Sequence, residues 1–275
     1  MIYGYGLSVG ARLLMRARAR QSLPYLIRPV NYWRSVEYRL VMEASRFTPH
    51  DRILDVGSPK LLALYLARVL GARVVATDID DYFVQTYSDI RAQEGISPER
   101  LSIQVEDGRQ LSFASGSFSK VYSISVLEHI PDDGDTRCIA ELARVLQPGG
   151  RCVITVPFWP ESRIDYAEPG GFYWASHSTE NDNKVFYQRR YSEQDLYERL
   201  IKPSGLRLAA LRYVGERVMT GSQRELSDLL PVFTGPIQPL MSRMFHSSPV
   251  ESWRSLKKPL CALLVLDNDL SAEVA

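Results

Sequence analysis

Four carboxyl groups and a histidine follow short apolar runs, a placement that suits ligand chemistry. Asp55 lies in Ile53-Leu54-Asp55-Val56-Gly57-Ser58-Pro59-Lys60, a run that stops at a glycine. Asp78 ends a second run, about 20 residues beyond Gly57, the distance at which a carboxylate can accept both hydroxyls of a ribose. Asp107 and Gly108 follow a third run, where a carboxylate could accept from an exocyclic amine. Each acid alone is weak, because Asp also favours turns and helix caps. Together, three carboxyl groups at three successive strand ends point to a nucleoside cofactor that lacks phosphate. Glu128 and His129 follow a fourth run. Histidine can take a proton near neutral pH, so His129 is the candidate base. It could equally hydrogen-bond to its loop and shape the cofactor pocket. Glu128 is read as orienting ligand or backbone.

The elements that must hold these residues are legible. Arg52–Val56, Arg73–Thr77, Leu101–Val105, Lys120–Val126 and Arg151–Val156 read as strands, with helical patterns at Lys60–Leu70 and Asp133–Leu146 between them. Alternating strand and helix predicts an α/β fold: a doubly wound, mainly parallel sheet with helices on both faces. In such sheets ligands bind at the carboxyl ends of the strands. Ser58 suits a helix N-cap, Pro59 its first turn and Gly71 its end. Residues 157–191 are rich in aromatics and could wall an apolar acceptor. Tyr173, His177 and Tyr191 are the substrate contacts expected there. Ser192 should cap a helix to about Ile201, and Leu206–Val214 and Leu260–Leu266 read as late strands around an insert at 215–259. Residues 1–50 read as a helical cap and 51–275 as the catalytic domain.

ILDVGS at 53–58, ATDID at 76–80, VEDGRQLSF at 105–113, YSISVLEHIPDDG at 122–134 and LARVLQPGGRCVITVP at 142–157 resemble the class I S-adenosylmethionine-dependent methyltransferases. Within that family the chain is similar to the small-molecule branch that includes quinone-biosynthesis enzymes. The resemblance implies a seven-stranded Rossmann-like sheet in the order 3-2-1-4-5-7-6, the last strand antiparallel. It implies S-adenosylmethionine as cofactor and Asp55, Gly57, Ser58, Asp78, Asp107, Gly108 and Glu128 as its binding residues. Asp55 and Gly57 would line the methionine end, Asp78 would hold the ribose and Asp107 would face the adenine. It also implies His129 at the reaction site and a small-molecule acceptor, with apolar or lipid-like molecules as candidates. The family's further loop glycines are replaced by Pro59 and Leu61. That departure keeps open a non-catalytic binding protein on the same fold. Lys60 could pair with the cofactor's carboxylate.

Composition sets the remaining bounds. The chain has 275 residues, 45% hydrophobic and 24% charged, with a net charge of +1. That is ordinary for a globular protein and gives no charge excess that would argue for nucleic acid. No Gly-x-Gly-x-x-Gly fingerprint occurs, which argues against a nicotinamide-dependent oxidoreductase. Three cysteines without a Cys-x-x-Cys pair suggest neither zinc nor disulfides and fit a reducing cytosol. The acidic loop Asp132, Asp133 and Asp135 is better explained by a helix N-terminus than by a metal. Six arginines and no acid fall in residues 1–36. Such a start resembles a transit peptide in composition. It also suits a membrane-surface helix, with Leu13, Leu14 and Met15 beside Arg12, Arg16, Arg18 and Arg20, or a solvated cap. The longest uncharged run near the C-terminus, Leu229–Ser242, is too short to span a membrane. Peripheral membrane contact is therefore an expectation, and oligomeric state is not legible.

Overall fold

A computed structural model describes residues 1–168, 180–181, 184–217 and 235–269. Three helices open the chain: α1 (Ile2–Met15), α2 (Ala19–Ile27) and α3 (Tyr32–Ser45). The strands β1 (Arg52–Val56), β2 (Arg73–Asp78), β3 (Leu101–Val105) and β4 (Phe118–Ile124) then alternate with helices. Those helices are α4 (Leu61–Tyr65, prolonged by a wide π turn at Leu66–Leu70), α5 (Asp81–Gln93) and, after β4, α6 (Gly134–Val145). With β5 (Leu146–Pro157), β9 (Arg207–Gly215) and β10 (Pro259–Asp267) the strands form one sheet ordered β3-β2-β1-β4-β5-β10-β9. Strands β1 to β5 run parallel, whereas β10 is antiparallel to β5 and β9. This is the expected doubly wound, seven-stranded order.

The sheet divides the core into two apolar clusters. One lies under α1, α3 and α4, with Val9, Leu13, Val41, Leu62 and Leu64 fully buried. The other lies under α6 and around the long helical stretch that starts at α7 (Glu193–Asp195) and continues through Leu196–Ile201 to Lys202–Ser204. Ser192 caps that stretch by accepting from the Asp195 N–H, and Gly205 closes it with a positive φ of 62°. A second sheet, absent from the sequence reading, orders β6 (Arg163–Ala167), β8 (Lys184–Arg190) and β7 (Glu180–Asn181) as β6-β8-β7.

Two local expectations change. Leu13 is buried in the core and Arg12 pairs with the buried Glu94, so neither belongs to an exposed amphipathic face. Ser58 is not the cap of α4. The helix starts at Leu61, and Ser58 Oγ instead accepts from the Ile124 N–H at 2.9 Å.

Candidate active site

The carboxyl ends of β1, β2, β3 and β4 lie side by side, because the register pairs Asp55 with Ala76 of β2 and with Tyr122 of β4. Asp55, Asp78, Asp107 and the Glu128–His129 pair thus share one edge of the sheet. Asp55 is fully buried. Its Oδ1 accepts from the Ser58 N–H at 3.1 Å, while Oδ2 makes no well-formed hydrogen bond among the described residues, although the Tyr122 hydroxyl acts on the same carboxyl. Burial pushes this carboxyl up to about 6, against the pull of the Lys60 charge and the Ser58 donors. An unpartnered buried oxygen costs free energy, and a donor supplied by a ligand would recover it.

Gly57 turns the chain with φ 68°, and a Cβ there would fall 2.7 Å from Val126 Cγ1. The turn therefore needs glycine both for its backbone and for its contact with the loop after β4. Asp78 Oδ1 accepts from the Asp80 N–H at 3.2 Å, and its Oδ2 lies 3.4 Å from Lys60 Nζ. Lys60 faces Asp78, so its ammonium is committed within the protein. Asp107 receives Arg109 through Nε at 2.9 Å and Nη2 at 2.7 Å. That guanidinium holds its carboxyl below the usual range. Gly108 passes close under Val56 and Cys138: a Cβ would meet Cys138 Sγ at 3.0 Å.

After β4 the backbone breaks sharply. Ser125 takes a positive φ of 49°, and Leu127–His129 form one 3-10 turn. His129 Nδ1 lies 2.7 Å from the Tyr187 carbonyl oxygen, which joins the turn to β8. A carbonyl can only accept, so Nδ1 carries the proton and the neutral ring has its lone pair on Nε2. Burial lowers the pKa of His129, with the Arg34 charge adding to it and the carbonyl opposing. Glu128 is buried, and its Oε2 has no partner among the described residues. Burial, reinforced by the charge of Glu37, pushes this carboxyl up to about 8.

Glu37 is the functional-edge residue that sequence reasoning missed. It reaches in from α3, accepts from Arg34 at 2.6 Å and Thr155 Oγ1 at 3.0 Å, and also receives the Ser125 hydroxyl. The signal was there: an acid in a stretch where Val36, Leu40 and Val41 are the buried apolar positions. Tyr191 is fully buried and donates to Asp135 Oδ2 at 2.9 Å, so it braces that carboxylate instead of lining an opening. Asp135 also takes Arg189 and Arg199, which identifies it as an ion-pair centre. Tyr173 and His177 lie outside the described residues.

The profile of the family described as "Methyltransferase domain" matches residues 54–154, from β1 through β5. Residues 54–154 are thus a methyltransferase domain. Over 142 residues it is 28% identical to tocopherol O-methyltransferase, chloroplastic, of Arabidopsis thaliana, covering 52% of this chain and 39% of that protein. It is 34% identical over 119 residues to the ubiquinone biosynthesis O-methyltransferase of Xanthomonas axonopodis pv. citri, covering 42% of this chain and 48% of that protein. The chain thus spans less than half the length of these curated relatives. Among solved structures, the [4+2]-cyclase SpnF superposes with a TM-score of 0.57 at 19% identity, covering 86% of this chain and 82% of that one. This likeness shows the fold alone, and one fold can host different chemistries.

Proposed function

We propose that the protein transfers a methyl group from S-adenosylmethionine to a small-molecule acceptor of apolar or lipid-like character. The observation that carries this reading is the row Asp55, Asp78 and Asp107 at adjoining strand ends within a methyltransferase domain. The residues fit the cofactor: Asp55 offers an unpartnered oxygen to an ammonium, and Asp78, 18% exposed, retains acceptor capacity for a ribose diol. Asp107 stands at the adenine end. The chemistry supplied by bound S-adenosylmethionine is an electrophilic methyl carried on a sulfonium. The protein's task is to align the acceptor and to remove a proton where the acceptor needs it. His129 Nε2 is the group for that proton, held by the Tyr187 carbonyl on the other ring nitrogen. Glu37 and Arg34 fix the turn that carries it.

The same reading includes contact with an anionic membrane surface. Leu14, Met15 and Leu23 are exposed beside Arg16, Arg18 and Arg20, and Ile237, Leu240 and Met244 are exposed beside Arg243. Tyr3, at the opposite end of α1 from Leu14 and Met15, donates to the Gly235 carbonyl at 3.2 Å. Among the described residues no helix is long and apolar enough to cross a membrane. Flotation with anionic and neutral liposomes tests the contact, and absence of recruitment to both would remove it.

Titration calorimetry with S-adenosylmethionine and S-adenosylhomocysteine, alongside Asp78→Ala, tests the enzyme reading. Saturable binding that the variant weakens supports it, and no binding of either ligand by the wild type rejects it. A non-catalytic binding protein is favoured by one feature, the replacement of the loop glycines by Pro59 and Leu61. Binding without turnover across an acceptor screen would select that reading.

A further inference from the structure

Lys60 is 1% exposed, rare for a lysine without committed partners. An ammonium has three donors, and three acceptors surround it: the Ser58 carbonyl at 2.6 Å, the Thr77 carbonyl at 2.8 Å and Asp78 Oδ2 at 3.4 Å. Ser58 belongs to the loop after β1, whereas Thr77 and Asp78 are the last two residues of β2. One side chain thus ties the turn of the first strand to the end of the second. It also acts on Asp78 from one side while the Asp80 N–H binds the other oxygen at 3.2 Å. Both oxygens of Asp78 are oriented, yet the side chain stays 18% exposed.

We infer that Lys60 is the positioning residue for Asp78, holding its carboxylate in the pose that reads a ribose diol. This inference rests on the cofactor reading above and extends it to a residue that does not touch the ligand. Pro59 and Leu61 then have a physical place. A loop without its further glycines cannot use its own backbone to approach the ligand as closely, and Lys60 supplies order to the loop from within. Fixing the carboxylate before binding removes an ordering cost that the ligand would otherwise meet.

The test measures ribose discrimination. Calorimetry compares 5′-methylthioadenosine with its 2′-deoxy analogue on the wild type, Lys60→Met, Asp78→Asn and the double variant. The wild type should prefer the ribose form by about tenfold, the worth of a good hydrogen bond. Lys60→Met should bring the ratio below about threefold and should change it little further when Asp78 is already Asn, as a shared pathway requires. Lys60→Gln, which can still donate to both carbonyls, covers the case in which the Met variant does not fold, and should lower the ratio likewise. If Lys60 only stabilised the loop, both nucleosides would weaken alike and the ratio would stay, which overturns the inference alone. Failure of the wild type to bind either nucleoside or S-adenosylhomocysteine overturns the cofactor reading and the inference with it.

Discussion

His129 directs Nδ1 at the Tyr187 carbonyl oxygen, 2.7 Å away, and so a residue of the second sheet sets the tautomer of a residue at the edge of the first. The rings of the two residues also meet edge to face at 5.2 Å. The β8 strand therefore serves the site although it contributes nothing to the seven-stranded sheet.

The first prediction concerns that tautomer. Burial lowers the pKa of His129, so the neutral, basic ring predominates above a value that lies below the usual 6.5. Methyl transfer should rise with pH through an inflection below 6.5 and then level. His129→Asn can keep a donor toward Tyr187 but has no base. It should lower kcat by about 10²-fold or more and remove the inflection. A rate–pH profile with radiolabelled methyl donor checks this. An unchanged acid limb in the variant would reduce His129 to a shaping role.

Glu128 gives a stability test. Its folded pKa of about 8 lies above the ordinary carboxyl value, so the native state holds a proton that the unfolded chain releases. Its contribution is fully present below the unfolded pKa and is lost as pH rises through about 8. Stability should fall across that window by up to about 1.4 kcal/mol per pH unit. Asp55, raised to about 6, shares only the lower part of the window. Urea unfolding at several pH values should show Glu128→Gln gaining on the wild type up to about pH 8. Parallel curves would mean that Glu128 is ionised throughout.

The third prediction is at Asp135, whose carboxylate takes Arg189 at 2.9 Å, Arg199 at 2.6 Å and the Tyr191 hydroxyl at 2.9 Å. Removing it leaves two guanidinium groups beside an empty space, one of them almost fully buried. Asp135→Ala should cost about 3–5 kcal/mol, read by chemical denaturation. Amide exchange should speed first in β8, which Arg189 holds to the start of α6. Uniform exchange across the sheet would show that the cluster does not anchor β8 in particular.

The strands that carry the acids were readable because each is an apolar run ended by Gly or Asp: RILDV before Gly57 and RVVATD before Ile79. The helix end at Gly71 was readable because left-handed backbone favours glycine, whereas the stretch expected to stop near Ile201 runs on to Ser204 before Gly205 ends it. Lys60 was offered to the cofactor's carboxylate, and its inward direction was not legible because it depends on carbonyls 2 and 17 residues away. Strand β8 was missed because KVFYQRR mixes aromatic and basic residues and finds partners only in β6 and β7. β4 was expected to reach Val126. It stops at Ile124 because Ser125, which receives no such local signal, leaves with positive φ to meet Glu37.

The last prediction separates two costs at one glycine. Gly57→Ala must accept φ 68° and must also place a methyl 2.7 Å from Val126 Cγ1. The first cost is about 1 kcal/mol for an L-residue in the left-handed region, and overpacking typically adds 1–3 kcal/mol, roughly. Val126→Ala removes the methyl groups in the way but leaves the backbone cost untouched. The double variant should therefore be more stable than the sum of the single losses by about 1 kcal/mol or more, while still falling short of Val126→Ala alone. Denaturation of the four proteins measures this. Strict additivity would mean that the loop after β4 moves aside freely, and the close approach of Gly57 to Val126 would then have no part in holding the turn that bears Asp55 and Ser58.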